Sequence, residues 1–213
     1  MRRLAIIVAI TFIGVTAFYM TGFGSTQNVY DERAFDEVVY LHASVKFFET
    51  TLEGLESRAN HIVRARVMDD ATTVFVPPAS PSPLNIPPTG HTLVSIEILE
   101  VIKGDTKVGD TIRIVEPYFI RDNTLFTFTN YMPSIPYEEY FFFLSNPLVD
   151  RELFQEEFIG AFPNMHGERG RYRVPSMRAV MQSYSAADLS LGTGANSDLY
   201  MRLWQEVIDA FMN

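Results

Sequence analysis

The sequence predicts a mainly β fold: a small, partly open barrel, with one helix before its first long strand and another at the C-terminus. A β-sandwich is the alternative. Three observations carry this prediction. Apolar residues alternate with period two in several segments between Ile62 and Leu144. The predicted strands are of uneven length, with one long pair and interspersed loops. One segment, Tyr140 to Leu144, is apolar on both faces, as a central, covered strand is.

From the N-terminus, Arg2 and Arg3 precede an uncharged apolar run from Leu4 to Met20, and Asp31, Glu32, Asp36 and Glu37 follow it. The positive-inside rule keeps the arginines in the cytoplasm and exports everything after Met20. Residues 1–24 are therefore expected to be a signal peptide, cleaved near Gly24, or an N-terminal membrane anchor through residues 4–20; the run is at the lower limit for spanning. The protein is expected at the cell membrane with its N-terminus cytoplasmic and its domain outside, or secreted. Residues 25–49 form a tether that ends in an ambiguous stretch. Val38, Leu41, Val45 and Phe48 step as a helix would, whereas Val39, Leu41, Ala43 and Val45 alternate with Tyr40, His42 and Ser44 as a strand would.

Residues 50–195 are the expected β-rich extracytoplasmic domain. Thr50 to Asn60 reads as a helix capped by Thr50 or Thr51, with Glu53 and Glu56 in its N-terminal half. From Ile62, Val63, Ala65 and Val67 face one way and Arg64 and Arg66 the other. Thr72 to Val76 is a short second strand. Residues 77–90 hold six of the twelve prolines, which cannot join a sheet interior, so a loop is expected. Thr92 to Val101 is a long strand with Val94, Ile96 and Ile98 as its inner row. A turn region from Lys103 to Asp110 leads to its partner, Thr111 to Glu116. Arg121-Asp122-Asn123 marks a hairpin tip returning along Leu125 to Thr129. Pro136, Glu138, Glu139 and Pro147 flank the aromatic strand as gatekeepers against aggregation. Gly170 to Val174 is a last short strand. Residues 196–213 form the C-terminal helix, with Leu199, Leu203, Val207 or Ile208, and Phe211 on its buried stripe beside Trp204.

Three segments, RANHIVRARV, TLVSIEILEVIKGDTKVGDTIRIVEPY and YEEYFFFL, resemble uncharacterised exported domains of Gram-positive bacteria over about residues 50–145. The Val-Ile-Lys-Gly-Asp turn carries most of this resemblance. It implies an OB-like barrel, similar in shape to the netrin and tissue-inhibitor modules, and it brings no functional residues. The cysteines that staple the animal inhibitor modules are missing.

Composition excludes several chemistries. With no cysteine there is no thiol nucleophile, thiolate zinc site, iron–sulfur ligation or lipid-modified cysteine. Loss of Arg2 and Arg3 with the leader would take the formal charge from −9 to −11, which argues against nucleic acid and against docking on anionic lipid. No Gly-x-Ser-x-Gly, Ser-x-x-Lys or His-Glu-x-x-His pattern occurs. None of the four histidines, His42, His61, His91 and His166, stands four positions from another; His61, His91 and Glu97 are weighed as a composite metal site against solvent-facing strand histidines. Gly192 to Ser197 faintly resembles a phosphate loop but reads better as a lead into the terminal helix. Residues 78–81 are weighed as a polyproline ligand against an ordinary loop.

Glu116, Glu138 and Glu139 sit at strand ends where a glycosidase could use two carboxylates, although neighbours on a strand point to opposite faces. Phe119, Phe126 and Phe128 read as core. Tyr118, Tyr131 and Tyr137, each in a proline- or turn-rich context, are the candidate ligand-binding residues, because tyrosine offers a flat apolar face with a polar tip. The expected function is a non-catalytic extracytoplasmic binding or interaction domain, with no cofactor or metal and an envelope or extracellular partner. The alternative is an extracellular hydrolase that uses strand-end carboxylates.

Overall fold

The computed structural model describes residues 35–41, 49–76, 89–128, 131–164, 167–175 and 197–212. The leader, most of the tether, the proline-rich segment 77–88, His42, His166 and residues 192–196 lie outside them. Among the described residues no helix is long and apolar enough to cross a membrane.

The ambiguous stretch begins as a strand, β1 (Glu37–Leu41), while residues 42–48 lie outside the described set. A ladder decides this: β1 pairs in parallel with β7 (Thr124–Phe128), and Val38 packs on buried Tyr118, Leu125, Tyr131 and Met132. Helix α1 (Leu52–Arg58) starts where its cap allows, with the Thr51 hydroxyl accepting the Gly54 N–H at 3.1 Å.

The larger sheet contains β2 (His61–Val67), β3 (Thr72–Val76), β4 (Thr89–Lys103), β5 (Thr111–Glu116), β8 (Glu139–Leu144), β9 (Phe162–Pro163) and β10 (Arg171–Arg173). Its order is β10-β8-β2-β4-β5-β9, with β3 also paired to β4, and it curls into a half-barrel. The 15 residues of β4 take β2 and β3 in series along one edge and β5 along the other. Between β2 and β3 the ladder is patched by a side chain. Met68 donates its N–H to Ser95 O at 2.9 Å, and Asp70 Oδ1 accepts the Ser95 N–H at 2.8 Å. Across the sheet, β9 runs parallel to β5, and Asn164 just beyond it bridges Leu144 at the end of β8.

A smaller sheet, β1-β7-β6, is built on the hairpin of β6 (Tyr118–Arg121) and β7. Its tip is Asp122-Asn123, at φ 48° and 59°, the left-handed pair that a two-residue hairpin turn requires. The hairpin lies against β3 and β4, where Thr92 Oγ1 donates to Tyr118 O at 2.9 Å. Gly90 permits this approach: a Cβ there would stand 3.0–3.1 Å from Val74 O and the Phe119 side chain.

The aromatic strand β8 is apolar on both faces because both are covered. Tyr140, Phe142 and Leu144 join Val63, Ala65, Val67, Val94, Ile96, Ile98 and Ile114 inside the curl. Phe141 and Phe143 pack outward against α1, Tyr172 and helix α2 (Ser197–Phe211), through Leu203, Trp204 and Val207. Helix α2 also binds β10. Tyr200 Oη donates to Arg171 O and Trp204 Nε1 to Arg173 O, both at 2.7 Å, which satisfies carbonyls of an edge strand.

Candidate functional site

The three candidate tyrosines do not form one platform. Tyr118 and Tyr131 come together, stacked at 6.3 Å and 16°, but they are 1% and 0% exposed and present no face to solvent. Tyr137 alone is displayed, at 65% exposure. It sits in the loop before β8 at φ 66°, an uncommon conformation for a side chain this large, with its N–H bonded to Val67 O at 2.8 Å. Its hydroxyl reaches Asp69 Oδ2 at 3.4 Å.

Tyr131 is buried because its hydroxyl serves a buried ion pair. Glu116, at the end of β5, is 1% exposed, and one of its oxygens accepts hydrogen bonds from Tyr131 Oη and Ser134 Oγ and from Arg171 Nη1 at 3.3 Å. Arg171 also donates to Ser134 Oγ at 2.5 Å and Met132 O at 2.7 Å, and its guanidinium lies 4.2 Å from the Tyr131 ring centre. Asn164 Nδ2 donates to Tyr131 Oη at 3.2 Å. Burial pushes the Tyr131 hydroxyl pKa well above its ordinary value. For Arg171, burial alone would lower the pKa, but Tyr131 and Glu116 more than reverse it and keep the guanidinium charged.

Sequence reasoning missed Arg171. In the β10–β8 ladder it stands opposite Phe142 and so shares the inward face. The alternation of Arg171 and Arg173 about Tyr172 gives the pairing of faces but not which face is inside.

The other carboxylates go elsewhere. Glu138 pairs with Arg173 at 3.1 Å. Glu139 takes Arg64 at 3.1 Å and Arg66 at 3.2 Å, and these arginines continue to Glu100 and Glu97 across the outer face of β2. Glu116, Glu138 and Glu139 therefore do not share a cleft. The histidines differ from the solvent-facing expectation too. His61 is 5% exposed, held between the Gly104 turn and the edge of the Phe162 ring, and His91 is half-buried. Glu97 is engaged with Arg66, and among the described residues no three His, Asp or Glu side chains converge on a metal position.

Among the described residues there is a half-open pocket of about 390 Å³. One wall is the outer face of the sheet: Val76 of β3, His91 of β4, Val115 of β5 and Pro163 of β9. The other wall is Leu148, Leu153, Phe154, Gln155 and Phe158 from the segment between β8 and β9. That segment is closed at its base by Leu148 N–H to Ala161 O (2.9 Å) and Gly160 N–H to Leu148 O (2.7 Å). Asp150 Oδ1 shapes its first turn by accepting the N–H groups of Glu152 and Leu153. At the inner wall, the His91 ring stacks on Phe128 (5.6 Å, 21°) and meets Phe158 edge-on (6.1 Å, 82°). Burial lowers the His91 pKa, and a hydrogen bond to the Glu116 backbone opposes this only in part. The pocket is thus apolar with one neutral imidazole and one amide. Its signal in the sequence was Leu153-Phe154, two large apolar residues in an acidic stretch with no periodicity to place them.

Neither the known family models nor the curated proteins include a match to this chain.

Proposed function

We propose that the chain is a non-catalytic binding domain acting outside the cell, held at the membrane by residues 4–20 or released after cleavage, on an OB-like barrel. Two features support the barrel reading: the ring of contacts β8-β2-β4-β5-β9, returned to β8 by the Leu144–Asn164 bridge, and the parallel β5–β9 pair. Export rests on the sequence order of Arg2, Arg3 and the apolar run. The observation that carries the binding function is the apolar pocket of about 390 Å³ beneath residues 148–158, within the size range of small-molecule sites. The groups with acid–base capability near strand ends are meanwhile committed to arginines.

The test screens the purified full chain by thermal shift against envelope-type small molecules and peptides, beside a panel of hydrolase substrates. A ligand at a hundred times its dissociation constant adds about 2.7 kcal/mol, which raises the melting temperature by roughly 5–10 °C for a chain of this size. No turnover should accompany it. Turnover abolished by Glu138→Gln or Glu139→Gln would replace this reading with the hydrolase.

A further inference from the structure

We infer that His61 and Asp105 form a proton-operated latch: protonation of the imidazole draws the Asp105 carboxylate onto it and fastens the turn between β4 and β5 to the start of β2. This goes beyond the binding reading and does not depend on it.

His61 is the first residue of β2, and its ring is nearly enclosed. The residue is 5% exposed, and its Nδ1 is buried with no hydrogen-bond partner. The backbone of the turn lies directly against that nitrogen. Gly104 stands there at φ 105°, and a Cβ at this position would collide with Nδ1. The ring also meets Phe162 of the closing strand β9, at 5.1 Å and 88°. In the β2–β8 ladder His61 stands opposite Leu144, which makes the bridge to Asn164. A change of charge on this one ring is therefore felt by the turn and by the closing strand.

The neutral ring is poorly served at Nδ1. With the proton there, the nitrogen is a buried donor without an acceptor; without it, a lone pair has a carboxylate oxygen nearby. Either state carries a cost. Asp105 Oδ1 lies 3.5 Å away, on a side chain that is 95% exposed and so unconfined by packing. Once the ring is protonated, the same nitrogen is a charged donor. A small rotation of Asp105 then brings its carboxylate to the distance of about 2.8 Å typical of a charge-assisted hydrogen bond. The turn holds another unserved atom, since Thr106 Oγ1 is also buried without a partner. With the ring neutral, this corner has not reached its best hydrogen bonding.

The other charges around the ring are engaged or exposed. In the turn, Lys103 Nζ donates to Glu56 O at 2.6 Å, Asp110 Oδ2 accepts the Lys107 N–H at 3.1 Å, and Lys107 is exposed. On α1, Arg58 pairs with Glu49; on β2, Arg64 pairs with Glu100 and Glu139. From β8 and β9, Leu144 and Phe162 bring no charge. Among the described residues, Asp105 is thus the charged group placed to answer a proton on His61.

The test is an NMR titration of the isotopically labelled full chain, purified from an exporting host, from about pH 8 to about pH 5, the range in which histidine changes charge. The His61 ring carbons report protonation, and the amides of Gly104, Asp105 and Thr106 report the turn. In the parent the turn amides should shift at the midpoint of the ring. In Asp105→Asn, a change at an exposed position that keeps the fold, the ring should need about threefold more acid, and the turn amides should no longer follow it. High salt should narrow the difference between parent and variant, because Asp105 is exposed. Asp105→Glu, which keeps the charge, should restore part of it. A ring that protonates at the same acidity in Asp105→Asn as in the parent would overturn the inference, as would one that stays neutral until the chain unfolds. Turn amides that stay still while His61 titrates would overturn it too.

Discussion

Glu116 and Arg171 lose their hydration together, and their burial is tolerable because hydroxyls, a backbone carbonyl and an aromatic face replace the water. Removing one partner leaves the other charge stranded, so Arg171→Met or Glu116→Gln should each cost about 3–5 kcal/mol in urea denaturation. The double variant Glu116→Gln with Arg171→Met should cost clearly less than the two together. Additive losses would show that the pair is not coupled. His91 gives a pH signature. Its folded pKa lies below the ordinary 6.5, so its contribution is complete above that value. As pH falls from 6.5 towards the folded value, the unfolded chain takes up a proton that the native chain refuses, and stability drops. The urea midpoint should therefore fall between pH 7.5 and 5.5 by more in the parent than in His91→Gln; equal slopes would place the titration elsewhere. Little of this was legible in the sequence. Tyr118 and Tyr131 share a turn-rich context with Tyr137, yet Tyr131 is drawn inward by an arginine 40 positions later, which local context cannot report.

Elements were far more legible than single side chains, because hydrophobic period is a local signal. Thr72–Val76 and Thr111–Glu116 have the limits that their alternation implies, and α1 begins at one of the two threonines able to cap it. Asp122-Asn123 forms the hairpin tip for the reason its composition gives, the tolerance of both residues for positive φ. Where period was ambiguous, a distant partner decided. Val38 and Leu41 step as in a helix, and Val39 and Leu41 alternate as in a strand, until β7 supplies a ladder, with Val38 opposite Leu125. The two-residue β9 has no period at all. The strongest element is β8, and its inner and outer faces should be separable. Phe142 is fully buried within the curl, so Phe142→Ala should cost about 3–5 kcal/mol. Phe143→Ala should cost a similar amount but also loosen α2, which is seen as faster proteolysis near the C-terminus. A midpoint for Phe142→Ala indistinguishable from the parent would remove β8 from the centre of the fold.

At the scale of the whole molecule, everything turns on whether the curl is held shut at β9. The long β4 bends the sheet by taking two partners in series, and β5 carries the curl onward, but these pairings alone describe an open surface. The return to β8 is slender: the Leu144–Asn164 bridge, Ser145 N–H to Pro163 O at 3.0 Å, and Asn164 N–H to Val115 O at 3.2 Å. Asn164 also donates from its side chain to Tyr131, so the closing strand touches the buried Glu116 cluster. The same strand gives Pro163 to the pocket wall, which links closure of the sheet to the shape of the pocket. If closure is cooperative with the core, the amides of Ser145 and Asn164 should exchange with deuterium only through global unfolding, at the protection of Val63 and Ile96 inside the curl. Tyr131→Phe, which deletes the hydroxyl that Asn164 and Glu116 share, should then lower protection at Asn164 and the core together. Exchange of Ser145 and Asn164 at loop rates beside a fully protected β2–β4 pair would mean that β9 opens independently. The pocket wall built on Pro163 would then open with it, and ligand affinity should fall under the same mild destabilisation that frees the strand.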